Sequence, residues 1–143
     1  MELKIGTQAY LRAAASYIRY QVFVIDGVIA PDDEFDDNDI PETCYAVMFD
    51  GKVPVATARL LDEDAKTVRI TRVATLSAYR GRGLASQILQ ALEETAQSQG
   101  YQKVLIHSEI DALPFYLKNH YQKIGIPYYE DDQPCQSVYK DLK

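Results

Sequence analysis

The sequence predicts a mixed α+β fold: a central, mostly antiparallel sheet, one parallel and splayed strand pair within it, and helices on its flanks. Three observations carry this. Near the start of the chain, Leu11, Ala14, Ala15, Ile18, Val22 and Phe23 recur at helical spacing. Three strand-like runs, beginning at Cys44, Val53 and Val68, follow one another across short turns, as antiparallel neighbours do. From Val68 a strand, a glycine-rich loop, a helix and a further strand succeed one another, and a crossover of that kind makes its two strands parallel.

Taken in order, Leu3 and Ile5 alternate with Glu2 and Lys4, which predicts a short first strand. Thr7 is placed to cap the helix that runs from Gln8 to about Val24 and ends near Asp26-Gly27. Tyr10, Tyr17 and Tyr20 fall at the edge of its apolar stripe. Asp26 to Pro41 reads as a long acidic loop, too polar to bury. Cys44–Phe49 and Val53–Leu61 form a hairpin about Asp50-Gly51, and Asp62–Lys66 turns the chain into the Val68 strand. In that strand Val68 and Ile70 share one face, but the next apolar residue is Val73. The side-chain phase slips near Thr71 and Arg72, as it does at a β-bulge. Leu84, Ile88, Leu89, Leu92 and Ala96 then mark about four turns of helix closed by Gly100. Lys103–Ile110 is a strand with Val104, Leu105 and Ile106 as its buried run. Asp111 is placed to cap a helix over Ala112–Asn119, and Tyr121–Ile126 and Gln136–Asp141 read as two last strands.

Composition narrows the function. The 143 residues suit one domain, 1–143. An apolar content of 47% is enough for a core, and no run of about 18 apolar residues is present to span a membrane. The first residues show no secretory pattern, and Cys44 and Cys135 make neither a disulfide framework nor a Cys-x-x-Cys site, so a reduced, cytoplasmic protein is expected. A net charge of −6 argues against nucleic-acid binding. Six acidic residues between Asp32 and Asp39 are either a solvated surface or the wall of a site for a cationic substrate. They lack the ladder and central glycine of an EF-hand, and the dispersed histidines and cysteines have no metal-ligand spacing, so no metal is expected.

The chemistry gathers at Arg80-Gly81-Arg82-Gly83-Leu84-Ala85-Ser86. Two glycines permit positive φ, the loop opens a helix whose first amides point outward, and two arginines add charge; together these favour an anion. A surface turn before a helix is the plainer alternative. The loop is not a P-loop, having no Lys-Ser/Thr pair, and it lacks the third glycine of a dinucleotide fingerprint.

Arg80-x-x-Gly83-x-Ala85 resembles the Arg/Gln-x-x-Gly-x-Gly/Ala signature of the GNAT N-acetyltransferases. Downstream, Ala112, Phe115 and Tyr116 match that family's Ala-x-x-Phe-Tyr-x-x-x-Gly-Phe, with His120 and Tyr121 in place of the glycine and phenylalanine. Order, spacing and element type agree across both motifs. Arg19-x-x-Val22-Phe23-Val24, followed by Glu34-x-Asp36-x-x-Asp39, is similar to a bacterial subgroup related to ElaA and YjcF, although Asp26-Gly27 stands where a Glu-Gln pair is usual and Cys135 follows Pro134 where a histidine is usual.

The resemblance implies the GNAT acyl-CoA N-acyltransferase fold and direct transfer of acetyl from acetyl-CoA, a co-substrate, to a primary amine, small or peptidyl. Backbone amides among Val73, Ala74 and Thr75 would polarise the thioester carbonyl, and Arg80 through Ser86 would hold the pyrophosphate. Tyr116 takes the place of the general acid that protonates the departing thiolate, beside the cofactor. Relatives often carry a glutamate on the bulged strand; here Arg69 and Arg72 stand there, and the base is left open among Glu109, His107, Glu34 and water. Arg59 and Arg72 are otherwise expected to pair with carboxylates on the sheet. Many relatives form dimers, which leaves a homodimer open. A non-catalytic acyl-CoA-binding module and a longer acyl donor are the competing readings.

Overall fold

The computed structural model describes residues 1–143. By its internal packing the chain divides into two compact units, one of residues 1–61 and 72–92, the other of residues 62–71 and 93–143.

In the first unit, β1 (Glu2–Gly6), β2 (Cys44–Asp50) and β3 (Val53–Asp62) form an antiparallel run. The β2–β3 turn places Gly51 at φ 61°, the left-handed conformation that a tight hairpin asks of its glycine. Helix α1 (Ala9–Arg19) lays Leu11, Ala15 and Ile18 on Tyr45, Val47 and Ala74, with Ala14, Val22, Phe23, Phe49 and Leu76 packed around them. These are the helix positions that the spacing predicts. The three tyrosines of its boundary, Tyr10, Tyr17 and Tyr20, are largely exposed, with Tyr10 near Phe49 and Tyr20 stacked on Phe35.

Two details of this segment differ from expectation. Thr7 does not cap α1: Gln8 holds the N-cap position, and no side chain bonds the free amides. The α-helix also stops at Arg19, and Tyr20–Ile25 continue as a π-helical turn in which the Asp26 amide reaches back to the Gln21 carbonyl. Beyond it Gly27 lies so close to the Phe23 carbonyl that a Cβ there would fall 2.5 Å from the oxygen.

Strand β4 (Thr67–Thr75) begins in the second unit and ends in the first. The residue at the change is Arg72, whose φ of 54° breaks the extended geometry where the hydrophobic phase slips. Helix α3 (Leu84–Ser98) buries Leu84, Ile88, Leu89, Leu92 and Ala96, as its spacing requires. It closes at Gly100, φ 91°, with the Tyr101 amide bonded to the Ala96 carbonyl.

In the second unit β5 (Lys103–Glu109) runs parallel to β4 through three pairs, Thr67 with Lys103 to Arg69 with Leu105, and the ladder ends there. Its other edge pairs along all seven residues with antiparallel β8 (Gln133–Asp141). The buried residues of β5 are Val104, Ile106 and Ser108; Leu105 is only half-buried, so the strand alternates where a continuous apolar run was expected. Asp111 does not cap the next helix. It lies in a 3₁₀ turn over Ile110–Ala112, and α4 (Leu113–Lys118) starts after Ala112 with a proline in its first turn. The expected strand at Tyr121–Ile126 is reduced to β6 (Gln122–Lys123). At Gly125 the chain detours with φ 74°, and the buried Gln136 amide donates to the carbonyls of Ile124 and Gly125. A short β7 (Tyr128–Glu130) then forms a hairpin with β8. Its turn residues, Asp131 and Asp132, both have positive φ, the pattern of a type I′ turn, which aspartate tolerates.

Candidate functional site

The glycine loop lies wholly in the first unit. After β4 the Leu76 amide bonds to the Val55 carbonyl, a 3₁₀ turn covers Ser77–Tyr79, and the chain passes Gly81 and Gly83 at φ 77° and 75°. A Cβ at either glycine would meet nothing within 4 Å, so backbone conformation, not protein crowding, is what asks for glycine. The first helical bond of α3 runs from the Gln87 amide to the Gly83 carbonyl. The amides of Leu84, Ala85 and Ser86 precede it and have no partner within the helix, which makes this end of a fifteen-residue helix a place for anionic oxygens.

Both loop arginines are oriented. The Nε of Arg80 donates to the Thr75 carbonyl at 3.1 Å, which leaves its terminal nitrogens for other acceptors. Arg82 stacks on the Tyr79 ring at 4.8 Å, and the Tyr79 hydroxyl donates to Asp50 at 2.8 Å. That hydrogen bond raises the Tyr79 pKa. Sequence reasoning finds the loop and misses this support, because Asp50 reads only as part of a turn.

The acidic segment is the largest departure from expectation. Asp32, Asp33 and Asp37 are exposed, but Glu34, at the end of the short helix α2 (Pro31–Glu34), is 1% exposed. Arg19, itself wholly buried, donates from Nε to the Glu34 carboxylate at 2.9 Å and grips Asp39 with both terminal nitrogens, at 2.7 and 3.0 Å. Arg59 binds Asp36 at 2.8 and 3.1 Å and Asp39 at 3.0 Å. Arg72 reaches Glu34 at 3.0 Å and Asp36 at 3.3 Å, and the Tyr45 hydroxyl donates to Asp39 at 2.6 Å. The partners of Arg59 and Arg72 therefore come from the loop, where carboxylates of the sheet were expected. Three guanidiniums meet three carboxylates, so half of the acidity counted between Asp32 and Asp39 is neutralised internally.

The shifts follow from this packing. Burial opposes the charge on Asp39 and Asp36, but the guanidinium bonds outweigh it and hold both carboxyls below the ordinary range. For Glu34 burial wins over its arginines and pushes the carboxyl up. Burial also dominates at Tyr45, whose hydroxyl, bonded to Asp39, is pushed up to about 12. The subgroup-like motif thus has a physical meaning in this chain: Arg19 binds both Glu34 and Asp39, and Asp36 completes the set through Arg59 and Arg72.

The second unit holds the other candidates, His107, Glu109 and Tyr116. Tyr116 is buried on α4, its ring set against Phe115 at 5.1 Å and Tyr121 at 6.0 Å. Burial, and then the charge of Glu109, push its hydroxyl up to about 12, so it is protonated near neutrality. His107 and Glu109 are exposed on alternate positions of β5, and the His107 ring meets Tyr128 edge-on at 6.2 Å. Burial of part of the ring and the nearby charge of Arg69 lower the His107 pKa, which keeps its imidazole neutral at neutral pH. Cys135 is buried with its thiol pushed up by burial, and both cysteines are free. His120, standing where the related motif has glycine, keeps a glycine-like φ of 73° after α4. Tyr121 is buried, with its hydroxyl on Glu93 at 2.8 Å; Lys140 binds the same carboxylate at 2.8 Å.

Comparison with known proteins identifies the family. The pattern of the Acetyltransferase (GNAT) family matches residues 13–121. An uncharacterized acetyltransferase of Streptococcus pyogenes is 40% identical over 110 residues, 77% of this chain and 75% of its own. The uncharacterized N-acetyltransferase YjcF of Bacillus subtilis is 29% identical over 111 residues, 78% of each chain. A crystal structure from Lactobacillus plantarum, provisionally described as an N-acetyltransferase, superposes with a TM-score of 0.96 at 36% identity, covering 99% of this chain and 98% of its own. The chain belongs to the GNAT family of acetyltransferases.

Proposed function

We propose that this protein transfers acetyl from acetyl-CoA directly to a primary amine, small or peptidyl, with donor and acceptor bound together. The observation that carries the reading is the loop after β4: two left-handed glycines, three outward helix amides at Leu84–Ser86 and a folded-back Arg80, all on one short stretch. That arrangement suits the pyrophosphate of CoA. The backbone of Val73, Ala74 and Thr75, just past the bulge, is assigned the thioester carbonyl, whose developing negative charge an amide would stabilise.

In the reaction the amine nitrogen bonds to the acetyl carbon, the carbon–sulfur bond breaks, and the amine proton leaves. Tyr116 is assigned the proton for the departing thiolate. Its raised pKa keeps the hydroxyl in its protonated, donor form at neutral pH, so the proton is there when the thiolate departs. For the base we assign the exposed side chains of β5, His107 first because it is neutral and Glu109 second. Glu34 is better assigned to holding the loop, since its carboxylate is buried and bonded to both Arg19 and Arg72.

The test is release of CoA thiol across a panel of amines, polyamines, amino acids and basic peptides, blanked for the two protein cysteines, with donor affinity measured by calorimetry. Release with one amine class is the expected result. Absence of CoA binding would overturn the reading of the loop. Binding without release from any acceptor would favour an acyl-CoA-binding module.

A further inference from the structure

Arg72 is an arginine in a conformation that side chains other than glycine avoid. Its φ is 54°, in the middle of a nine-residue strand. A left-handed residue persists there only when its surroundings over-determine it. The hold is visible in the side chain. Nε lies 3.0 Å from the Glu34 carboxylate and 3.3 Å from the Glu34 carbonyl oxygen, and Nη2 lies 3.2 Å from that carbonyl and 3.3 Å from Asp36. The acceptors are themselves fixed: Glu34 is buried against Arg19, and Asp36 takes two bonds from Arg59. The guanidinium therefore ties the left-handed residue of β4 to a fixed part of the first unit.

The residues that follow at once are Val73, Ala74 and Thr75. We propose that Arg72 is a positioning residue for acyl transfer: its ties to Glu34 and Asp36 hold the left-handed turn of the strand at Arg72 and so keep the amides of Val73–Thr75 aimed at the acyl carbonyl. The inference rests on the function proposed above. It goes beyond it by giving the acidic segment a role in the chemical step through strand geometry, with no contact to either substrate required of Arg72. A flexible amide would have to be ordered anew in each transition state, whereas a tied one is ordered in advance.

The test compares wild type with Arg72→Gly and Arg72→Lys. Glycine accepts the left-handed conformation without strain, so Arg72→Gly removes the tie alone. Lysine keeps the charge but not the planar fork. Arg72→Gly is expected to lower kcat about 10- to 100-fold, the scale of a misplacement of about 1 Å, while the Kd for CoA stays within about twofold. Arg72→Lys should fall between, and ethylguanidine should restore part of the rate to the glycine variant. Hydrogen exchange should quicken at the Val73–Thr75 amides and stay unchanged at Leu84–Ser86. A glycine variant with wild-type kcat and unchanged exchange would overturn the proposal. So would parallel loss of kcat, CoA affinity and folding stability in both variants, which a merely structural arginine would produce. A wild-type protein without CoA binding or turnover would remove the proposed function, and this role with it; normal wild-type turnover matched by Arg72→Gly would remove only the role of Arg72.

Discussion

Asp39→Asn tests the buried ion network directly. The Asp39 carboxylate accepts from Arg19 at 2.7 and 3.0 Å, from Arg59 at 3.0 Å, from the Tyr45 hydroxyl at 2.6 Å and from the Asp36 amide at 3.1 Å. Asparagine matches the shape but replaces one acceptor with a donor and removes the charge between two buried guanidiniums. Removing one partner of a buried ion pair costs about 3–5 kcal/mol, a large share of the roughly 5–15 kcal/mol that holds a domain together. At about 2–4 °C per kcal/mol for a chain of this size, the melting midpoint should fall by about 6–20 °C. The pH dependence supplies a second readout. Asp39 is held below its ordinary value of 3.8. Between the folded and unfolded values the unfolded chain binds more protons, so stability rises with pH there. The contribution is present above the unfolded value and is lost as pH falls through the folded one. Urea unfolding of both proteins near neutrality and at about pH 3 should show a large difference that shrinks in acid. A loss of less than about 1 kcal/mol near neutrality, or a difference independent of pH, would refute the argument that this carboxylate is the hub of the network.

Tyr116→Phe should abolish most acetyl-CoA-dependent turnover, a fall of about 10²-fold or more, while calorimetry shows unchanged CoA affinity. An equal loss of both would make Tyr116 a core residue only. His107→Ala should flatten the low-pH limb of the kcat/KM profile, a limb placed below the ordinary histidine value because the imidazole pKa is lowered; an unchanged limb would move the base to Glu109 or water. His120→Gly should raise the melting midpoint, because glycine relieves a φ of 73° worth about 1 kcal/mol in a histidine; a lower midpoint would mean that the ring contributes more than the strain removes. Gly27→Ala should destabilise by about 1–3 kcal/mol in a denaturant titration, since its Cβ would press on the Phe23 backbone; a neutral result would show that the turn after the π-helical segment yields freely.

Periodicity made the repetitive parts of this chain legible. The core residues of α1 and α3, the β2–β3 hairpin, the parallel β4–β5 pair and the slip at Arg72 all follow from spacing, because a buried face must repeat with the geometry of its element. Caps were not legible: Thr7 and Asp111 have suitable side chains, but the chain enters each helix one residue later, and nothing local decides between adjacent positions. The last strands were blurred because β6 and β7 are two and three residues long, below the length at which alternation can be read. Of the candidate site, the glycine loop and Tyr116 are singled out by short-range motifs. Of its supports, the bond of Tyr79 to Asp50 joins residues 29 positions apart, and the stacking of Arg82 on Tyr79 belongs to no motif that spacing reveals.

The acidic segment shows why charge counts mislead. Composition registers how many carboxylates a stretch contains, whereas their meaning depends on what lies opposite them after folding. Here Arg19 comes from α1, Arg59 from β3, Arg72 from β4 and Tyr45 from β2, and all four converge on Glu34, Asp36 and Asp39. An apolar cluster of equal volume could hold the same elements with equal or greater stability, because desolvating ions offsets most of their attraction. What it could not supply is direction. A planar guanidinium bound through two or three nitrogens fixes the rotation of the chain that carries it, whereas aliphatic side chains fix mainly distance. The chain places such forks on the last residue of α1, before the π-helical turn, and on the left-handed residue of β4. Both are points where the backbone changes geometry, from α- to π-helical after Arg19 and out of the extended conformation at Arg72. The network is thus best understood as setting the course of the backbone at two irregular positions, one of which leads directly into Val73–Thr75. Its contribution to stability, which Asp39→Asn measures, and its contribution to geometry, which Arg72→Gly measures, are separable for that reason.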